Sequence, residues 1–457
     1  MRLTVPYIDE VDAVDARLMA LAKFLGISCE TVSLDREIRH YAGFLEKVVS
    51  NPRTCLVVNP RVLQRWTREA AVSTELVSCL VPRFAHLLVH GFCGGSYESS
   101  LIAALSQGRL QTVRAAETAD LYEIDKNAKD VCEAFSGLEF GPTNPGNDHV
   151  FAGPTDDCTL RRLISIGGQP FMTCMKQRDT GIFFVGSKDV VDLDSNAGDL
   201  PVAHHFSRLV PQVMALRRIF TEQCWRPDEH HACVIIDDPL LRKSYGFLRF
   251  QDLSHLVQQH NFHTSIAFIP HNYRRNSPRI VDLFRNNGAR LSICFHGCDH
   301  TKGEMASTDP TLLNTILRTA ETRMKRHEAK SGLVCDRVMV FPQGAFSVEA
   351  MKALKTHNFL AAVNTLPQPV TQSEPLTVRE VIQPAVTRYA GFPLFLRRYI
   401  KAMQSQDIAF NLFFGKPILI VEHHEIFEHP ELLVDAVRKV NSLAPEIKWS
   451  RLETVVS

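Results

Sequence analysis

His296 and His300 stand four residues apart in "FHGCDHTKG", directly behind the apolar run "RLSIC". Asp237 and Asp238 follow the apolar run "ACVII", and His423 and His424 follow "PILIV" in "EHHEIF". Two imidazoles at i and i+4 on the first turn after a strand can point at one ion. A carboxylate from a neighbouring strand end then completes three protein ligands and leaves positions for water and substrate. That is the open arrangement of a catalytic zinc-type site. Such an ion lowers the pKa of its water from about 15.7 to about 7 and polarises a carbonyl. A second carboxylate can take the proton of that water. Burying two adjacent carboxylates with no cation is costly, which also favours a metal there. An isolated HxxxH is weak, and an isolated "DDP" is more often a turn. The inference rests on the combination, each group behind a strand.

The elements that must position these groups are regular. "ACVII", "TSIAFI", "RLSICF", "RVMVF", "FLAAV" and "PILIV" read as short apolar strands. Helical patterns separate many of them, among them "QDLSHLVQQHN", "RIVDLFRNNG", "TLLNTILRTAETRMKRHEA" and "VEAMKALKTHN". In a barrel of parallel strands the C-terminal ends share one face, and active sites are built there. Residues far apart in sequence are thereby expected to converge. His271, Asn272 and Asn364 also follow strands and are expected to line the pocket, with side chains suited to hydroxyl or amide groups.

The chain has 457 residues, which predicts two domains. Its hydrophobic content of 45% and charged content of 22% are those of a soluble globular protein. Net charge is +1, so nothing draws it toward nucleic acid or an anionic membrane. The N-terminus turns acidic within a few residues, unlike a secretory signal. No stretch approaches the ~18 uninterrupted apolar residues of a spanning helix. The 12 cysteines are scattered without a CxxC pair, which predicts free, buried thiols in a reducing compartment, the cytoplasm.

The first part alternates strand and helix patterns: "RLTVPYI", "VDARLMALAKFLG", "TCLVVNP", "FAHLLVHGF", "SYESSLIAALSQG" and a late strand "GIFFVGS". This predicts an open α/β domain, Rossmann-like or flavodoxin-like, over residues 1–225, with the second domain over 226–457. No GxGxxG fingerprint marks a dinucleotide site. Residues 140–157 and 186–201 read as loops. In "HGFCGGSY", Cys93 stands among small residues between a strand and a helix. It loosely resembles the nucleophile elbow of class I glutamine amidotransferases, but the expected state is a tight turn with a buried thiol.

The order "IIDDP", "HGCDH", "VFPQG" and "ILIVEHH" resembles the polysaccharide deacetylase-like metal hydrolases, the chitooligosaccharide deacetylase homology group, over residues 230–457. The resemblance implies a distorted (β/α) barrel of fewer than eight strands that removes N- or O-acetyl groups from sugars. By position it implies Asp237 as general base and Asp238, His296 and His300 as metal ligands. It further implies His423 or His424, with His423 favoured, as general acid. Pro342, Gln343 and Gly344 match a motif whose backbone N–H would hold the oxyanion.

Three positions depart from that pattern. Pro239 replaces a glycine, and Gln343 replaces a tyrosine. Val340 stands where the family carries an arginine that orients the base, and Arg337 lies too early to replace it. Residues 386–406 read as a basic, aromatic helix near the barrel mouth, presenting Arg397, Arg398 or Tyr399 to substrate. The expected activity is a metal-dependent deacetylase on C–N or ester bonds, with zinc as the default ion and cobalt, nickel or iron as alternatives. The expected partner is a carbohydrate or acylated small molecule, with a homo-oligomer possible. The rival expectations are a metal-retaining, catalytically weak binding or regulatory protein, and an amidohydrolase acting on a non-sugar amide.

Overall fold

The computed structural model describes residues 1–34, 54–70, 81–117, 121–144, 146–153, 159–197, 205–371 and 374–457. The chain forms two compact units, Met1–Ser195 with Asp199–Arg226, and Asn196–Gly198 with Pro227–Ser457.

The first unit is built on a nine-stranded sheet. Five strands are parallel, in the spatial order Cys29–Ser33, Arg2–Tyr7, Thr54–Val58, His86–Val89 and Thr180–Val185. The apolar runs of the central strands Thr54–Val58 and His86–Val89 are buried, as parallel strands covered on both faces require. The other four, Gln169–Gln177, Leu160–Ile166, Tyr122–Ile124 and Glu139–Phe140, pair antiparallel. Uniform strand–helix alternation does not anticipate this half. Its signal is "IGGQ", where Gly167 and Gly168 take φ of 53° and 71° in a two-residue hairpin turn. The expected loop over 140–157 also holds a strand, His149–Ala152, paired with Thr112–Ala115. The short apolar run Val150, Phe151 and Ala152, inside a Gly- and Pro-rich stretch, forms most of it. The ten described cysteines carry no disulfide. Among the described residues no helix is long and apolar enough to cross a membrane.

The second unit is a nearly closed, barrel-like parallel sheet. Strands His231–Asp237, Thr264–Phe268, Leu291–His296, Cys335–Val340 and Ala361–Asn364 lie side by side in chain order. Ile418–Glu422 pairs with His231–Asp237 on its other edge. Closure falls to one short extended segment. Leu394–Leu396 pairs with Ala361–Asn364, and Arg398–Tyr399 pairs with Ile418–Glu422. Arg397 is the residue between them, so the two edges of the sheet meet at its position.

Cys233, Ile235, Ala267, Cys294, Val338, Val363 and Leu419 fill the core with Leu452 and Val455 of the C-terminal helix. The flanking helices are capped by their own sequence. Asp309 accepts the Thr311 N–H at 2.8 Å, Pro310 opens the helix Pro310–Ser331, and Gly332 closes it in the left-handed conformation. The expected helix over 386–406 is absent. That region is the closing strand followed by a shorter helix, Ser405–Phe413. Aromatic and aliphatic residues dominate 394–399, and strand pairing on both sides overrides their weak helical pattern.

Candidate metal centre and catalytic site

Asp237 is the last residue of its strand and only 3% exposed. Asp238 follows in the left-handed region, φ 79°, an uncommon conformation for a side-chain-bearing residue. His296 ends the strand Leu291–His296 and is buried. His300 closes the following loop, also left-handed at φ 57°. Asp238 Oδ1 lies 3.2 Å from His296 Nε2 and 3.2 Å from His300 Nε2. Strained backbone at two of three converging groups marks a geometry that the surrounding fold enforces.

The donor set fits a divalent ion. His296 Nδ1 donates to the Val340 carbonyl at 2.9 Å, which leaves the Nε2 lone pair directed at the cluster. Asp238 Oδ1 is buried without a hydrogen-bond partner. Ligands about 2.0–2.1 Å from a tetrahedral zinc lie roughly 3.3 Å from each other, close to the spacing seen. Charge argues the same way. Burial disfavours an imidazolium at His296, yet Asp237 and Asp238 outweigh it and raise its pKa. Positive charge is favoured at this point, carried by a proton or by a metal ion.

Asp237 has a different partner. Arg397 Nη1 and Nη2 donate to its two carboxylate oxygens, each at 2.7 Å. Burial alone would push the Asp237 carboxyl up, but Arg397, His296 and His423 overcome it and hold it below the ordinary carboxylate range. Asp238 behaves likewise: burial raises it and His296 and His300 pull it down further. The guanidinium beside Asp237 thus comes from the barrel seam and not from position 340, which holds a valine. Arg397, expected at the substrate face, is 3% exposed and turned inward. Arg398 points the other way and pairs with Asp407 at 2.8 Å. Arg337 is engaged with Glu321 at 2.7 Å.

Glu304 was not among the residues expected to matter. Its buried carboxylate accepts the N–H groups of Cys298 (2.9 Å), Asp299 (3.1 Å) and His300 (3.2 Å). It therefore shapes the loop that presents His300. Gly297, φ 63°, leaves room for it, because a Cβ there would collide with the Glu304 carboxylate. The sequence signal was "HGCDHTKGE", a glycine and an acid bracketing the second histidine.

The adjacent histidines diverge. His423 stacks on Tyr399 at 6.2 Å and 13°, and its charge reaches Asp237 and Asp238. His424 packs against Tyr245 at 5.2 Å and Phe247 at 6.2 Å, over Gly246. The small hairpin Ser244–Arg249 holds it there.

Gln343 is left-handed at φ 57°, follows Pro342, and its Oε1 accepts the Gly303 N–H at 3.4 Å. Asn364 is buried, and its Oδ1 has no hydrogen-bond partner. Its Nδ2 donates to the carbonyls of Gly344 (2.9 Å) and Leu366 (3.0 Å), and its main-chain carbonyl accepts the Arg397 N–H at 3.0 Å. It ties the turn at 342–344 to the seam. His271 pairs with Asp299 at 3.0 Å, and Asn272 is buried with its Oδ1 toward Arg275 at 3.4 Å. His271 thereby rests on the loop that carries His300, its backbone N–H also donating to the Cys298 carbonyl at 2.9 Å.

No family model matches this sequence, and no curated protein matches it. Solved structures do. Agd3, a novel carbohydrate deacetylase, superposes with a TM-score of 0.57 at 8% identity, covering 100% of this chain and 86% of that one. The chain shares the fold of that deacetylase. A putative polysaccharide deacetylase from Mycobacterium smegmatis covers 51% of this chain and 91% of its own, at 12% identity and a TM-score of 0.35. A family 4 carbohydrate esterase from Streptomyces lividans, in complex with acetate, covers 48% and 90% at 11% identity and a TM-score of 0.30. At 8% identity the likeness to Agd3 is one of fold.

Proposed function

We propose that this chain is a metal-dependent hydrolase that removes acetyl groups from a carbohydrate, with the catalytic apparatus in residues 226–457 and a separate role for residues 1–225. The observation that carries the proposal is the clustering of Asp238, His296 and His300 beside an aspartate clamped by Arg397. Asp238 Oδ1 and the two Nε2 atoms would hold the ion, zinc by default for mixed imidazole and carboxylate donors, with cobalt, nickel or iron as alternatives. When bound, the ion supplies an activated water and a Lewis acid for the acyl oxygen.

The protein's own groups do the rest. Arg397 keeps Asp237 ionised and fixes its rotamer, so a free lone pair of the carboxylate can accept the proton of the attacking water. A backbone N–H of the turn Pro342–Gly344 offers a hydrogen bond to the acyl oxygen as it gains charge. His423, on the same side as the two aspartates, gives a proton to the departing amine or alkoxide. Absence of an arginine at position 340 motivates the rival reading, a metal-retaining and catalytically weak binding protein; the Arg397–Asp237 pair supports the hydrolase reading over it.

The test is hydrolysis of acetylated sugars, with acetylated non-sugar amides in parallel, by wild type and Asp237→Asn, with and without chelator. Acetate release from a sugar that is lost with chelator, restored by metal and lost in Asp237→Asn supports the proposal. A folded, metal-loaded protein that releases no acetate from any acetylated sugar overturns it.

A further inference from the structure

The seam segment carries a second side chain directed at the candidate site. Extended backbone sends successive side chains to opposite sides. Arg397 turns inward to Asp237, Arg398 turns out to Asp407, and Tyr399 turns back toward His423. Burial pushes the Tyr399 phenol up; Arg397 opposes this, and the carboxylates of Asp237, Glu422 and Asp238 add to it. The ring therefore lies within the field of both aspartates.

Strand register produces the contact with His423. Tyr399 pairs in parallel with Val421. Glu422 ends that strand, and His423 keeps extended angles, φ −108° and ψ −177°. His423 thus stands on the same face as Val421, diagonal to Tyr399. The two ring centroids are 6.2 Å apart and their planes differ by 13°. That is within the range in which offset aromatic rings attract. The backbones behind the rings are tied as well. Glu422 precedes His423 and Ile400 follows Tyr399, and the Ile400 N–H donates to Glu422 Oε1 at 2.8 Å. Lys401 Nζ lies 5.7 Å from the Tyr399 ring centroid, a second restraint on that ring.

A histidine that delivers a proton in one direction is ordinarily oriented by a hydrogen bond at its other ring nitrogen. Among the described residues no hydrogen bond or ion pair fixes the His423 side chain. The Tyr399 face is the restraint that the fold supplies in its place.

We propose that Tyr399 is the positioning residue of the general acid. Its ring face holds the His423 imidazole in the plane from which the proton passes to the departing nitrogen or oxygen as the acyl bond breaks. One seam segment thereby aims both proton-transfer groups, Arg397 the base and Tyr399 the acid. This rests on the hydrolase proposal, and two leaving groups separate the one from the other.

An amine or alkoxide needs a proton to depart, whereas 4-nitrophenolate leaves 4-nitrophenyl acetate without one. Acetate release is measured on N-acetylglucosamine oligosaccharides and O-acetylated xylan, and compared with 4-nitrophenyl acetate. Tyr399→Leu should lower kcat on the sugar substrate by about 10–100-fold, with KM and metal content preserved. It should slow 4-nitrophenyl acetate far less. Tyr399→Phe keeps the ring face and should keep most of the rate. The double variant Tyr399→Leu/His423→Ala should be no slower than His423→Ala, because one function is removed twice. Tyr399→Met takes the place of the leucine variant should that one not fold.

Equal losses on both kinds of leaving group would mark a general structural defect and overturn the proposal. Wild-type turnover in Tyr399→Leu, or additive losses in the double variant, would do the same. A loss in Tyr399→Phe as large as in Tyr399→Leu would give the role to the hydroxyl instead of the ring face. Metal-loaded wild type that releases acetate from neither sugar substrate overturns the hydrolase proposal itself, and this one with it.

Discussion

Arg397 and Asp237 meet through two parallel hydrogen bonds of 2.7 Å, 160 residues apart in the chain and both nearly inaccessible to solvent. A bidentate guanidinium fixes a carboxylate in orientation as well as in charge. Removing it strands a buried anion. Arg397→Met is expected to destabilise the barrel by about 3–5 kcal/mol. Arg397→Lys keeps the charge but loses the fork, and should retain the fold while losing acetate release by about 10-fold or more. Denaturant unfolding and initial rates check the two halves separately. Wild-type rates in Arg397→Lys would show that the fork does not position the base.

Metal content should follow the three clustered donors. Purified wild type is expected to hold about one equivalent of a divalent ion per chain, and His296→Ala or Asp238→Asn should lose it. Elemental analysis after gel filtration gives the answer. Equal metal in both variants and wild type would place the ion elsewhere.

Glu304→Gln keeps the shape but removes the charge that three backbone N–H groups share. Groups that orient metal ligands typically carry about 10–100-fold in metal affinity, and a loss of that size is expected. Gly297→Ala should produce the same defect by driving a methyl group into that carboxylate. Competition with a metal-sensitive dye measures both.

His423→Ala should reduce turnover by about 10²–10⁴-fold with metal content preserved. His424→Ala should chiefly loosen the hairpin Ser244–Arg249, with a smaller effect on rate. A reversed order, with His424 the costlier loss, would reassign the general acid.

Stability of the barrel should decline as pH falls below neutrality. His263 is buried and neutral, with Nδ1 donating to the Ala289 carbonyl at 3.1 Å and Nε2 accepting from Ser292 at 2.9 Å. Burial lowers its pKa to about 4, against 6.5 in an unfolded chain. The unfolded state therefore takes up the proton first. The contribution of His263 is whole above pH ~6.5 and is lost progressively as pH drops to about 4, in total about 3 kcal/mol. Melting curves of wild type and His263→Gln between pH 7 and 4 should converge as the pH falls. Parallel curves would deny His263 this role.

Local chemistry marked where the ligands of the candidate site stand. Apolar runs of five or six residues have to become buried strands, and the polar residue that ends each run has to sit at a rim. This is why Asp237, His296 and the pair His423–His424 were legible without coordinates. The conformations that aim Asp238 and His300 were not legible, since a left-handed aspartate or histidine resembles any other in sequence. The two neighbours His423 and His424 differ only in which way the chain turns after its strand. Their divergence is settled by what packs on each, Tyr399 on one and the hairpin on the other. Arg397 was the residue least visible in advance. Its segment looked helical because its strand partners come from Ala361–Asn364 and Ile418–Glu422, and only closure of the sheet brings both beside it. Residue type and spacing determined the donor chemistry; barrel closure decided which distant cation orients the buried carboxylate of Asp237, because that pairing exists only once both edges of the sheet have met.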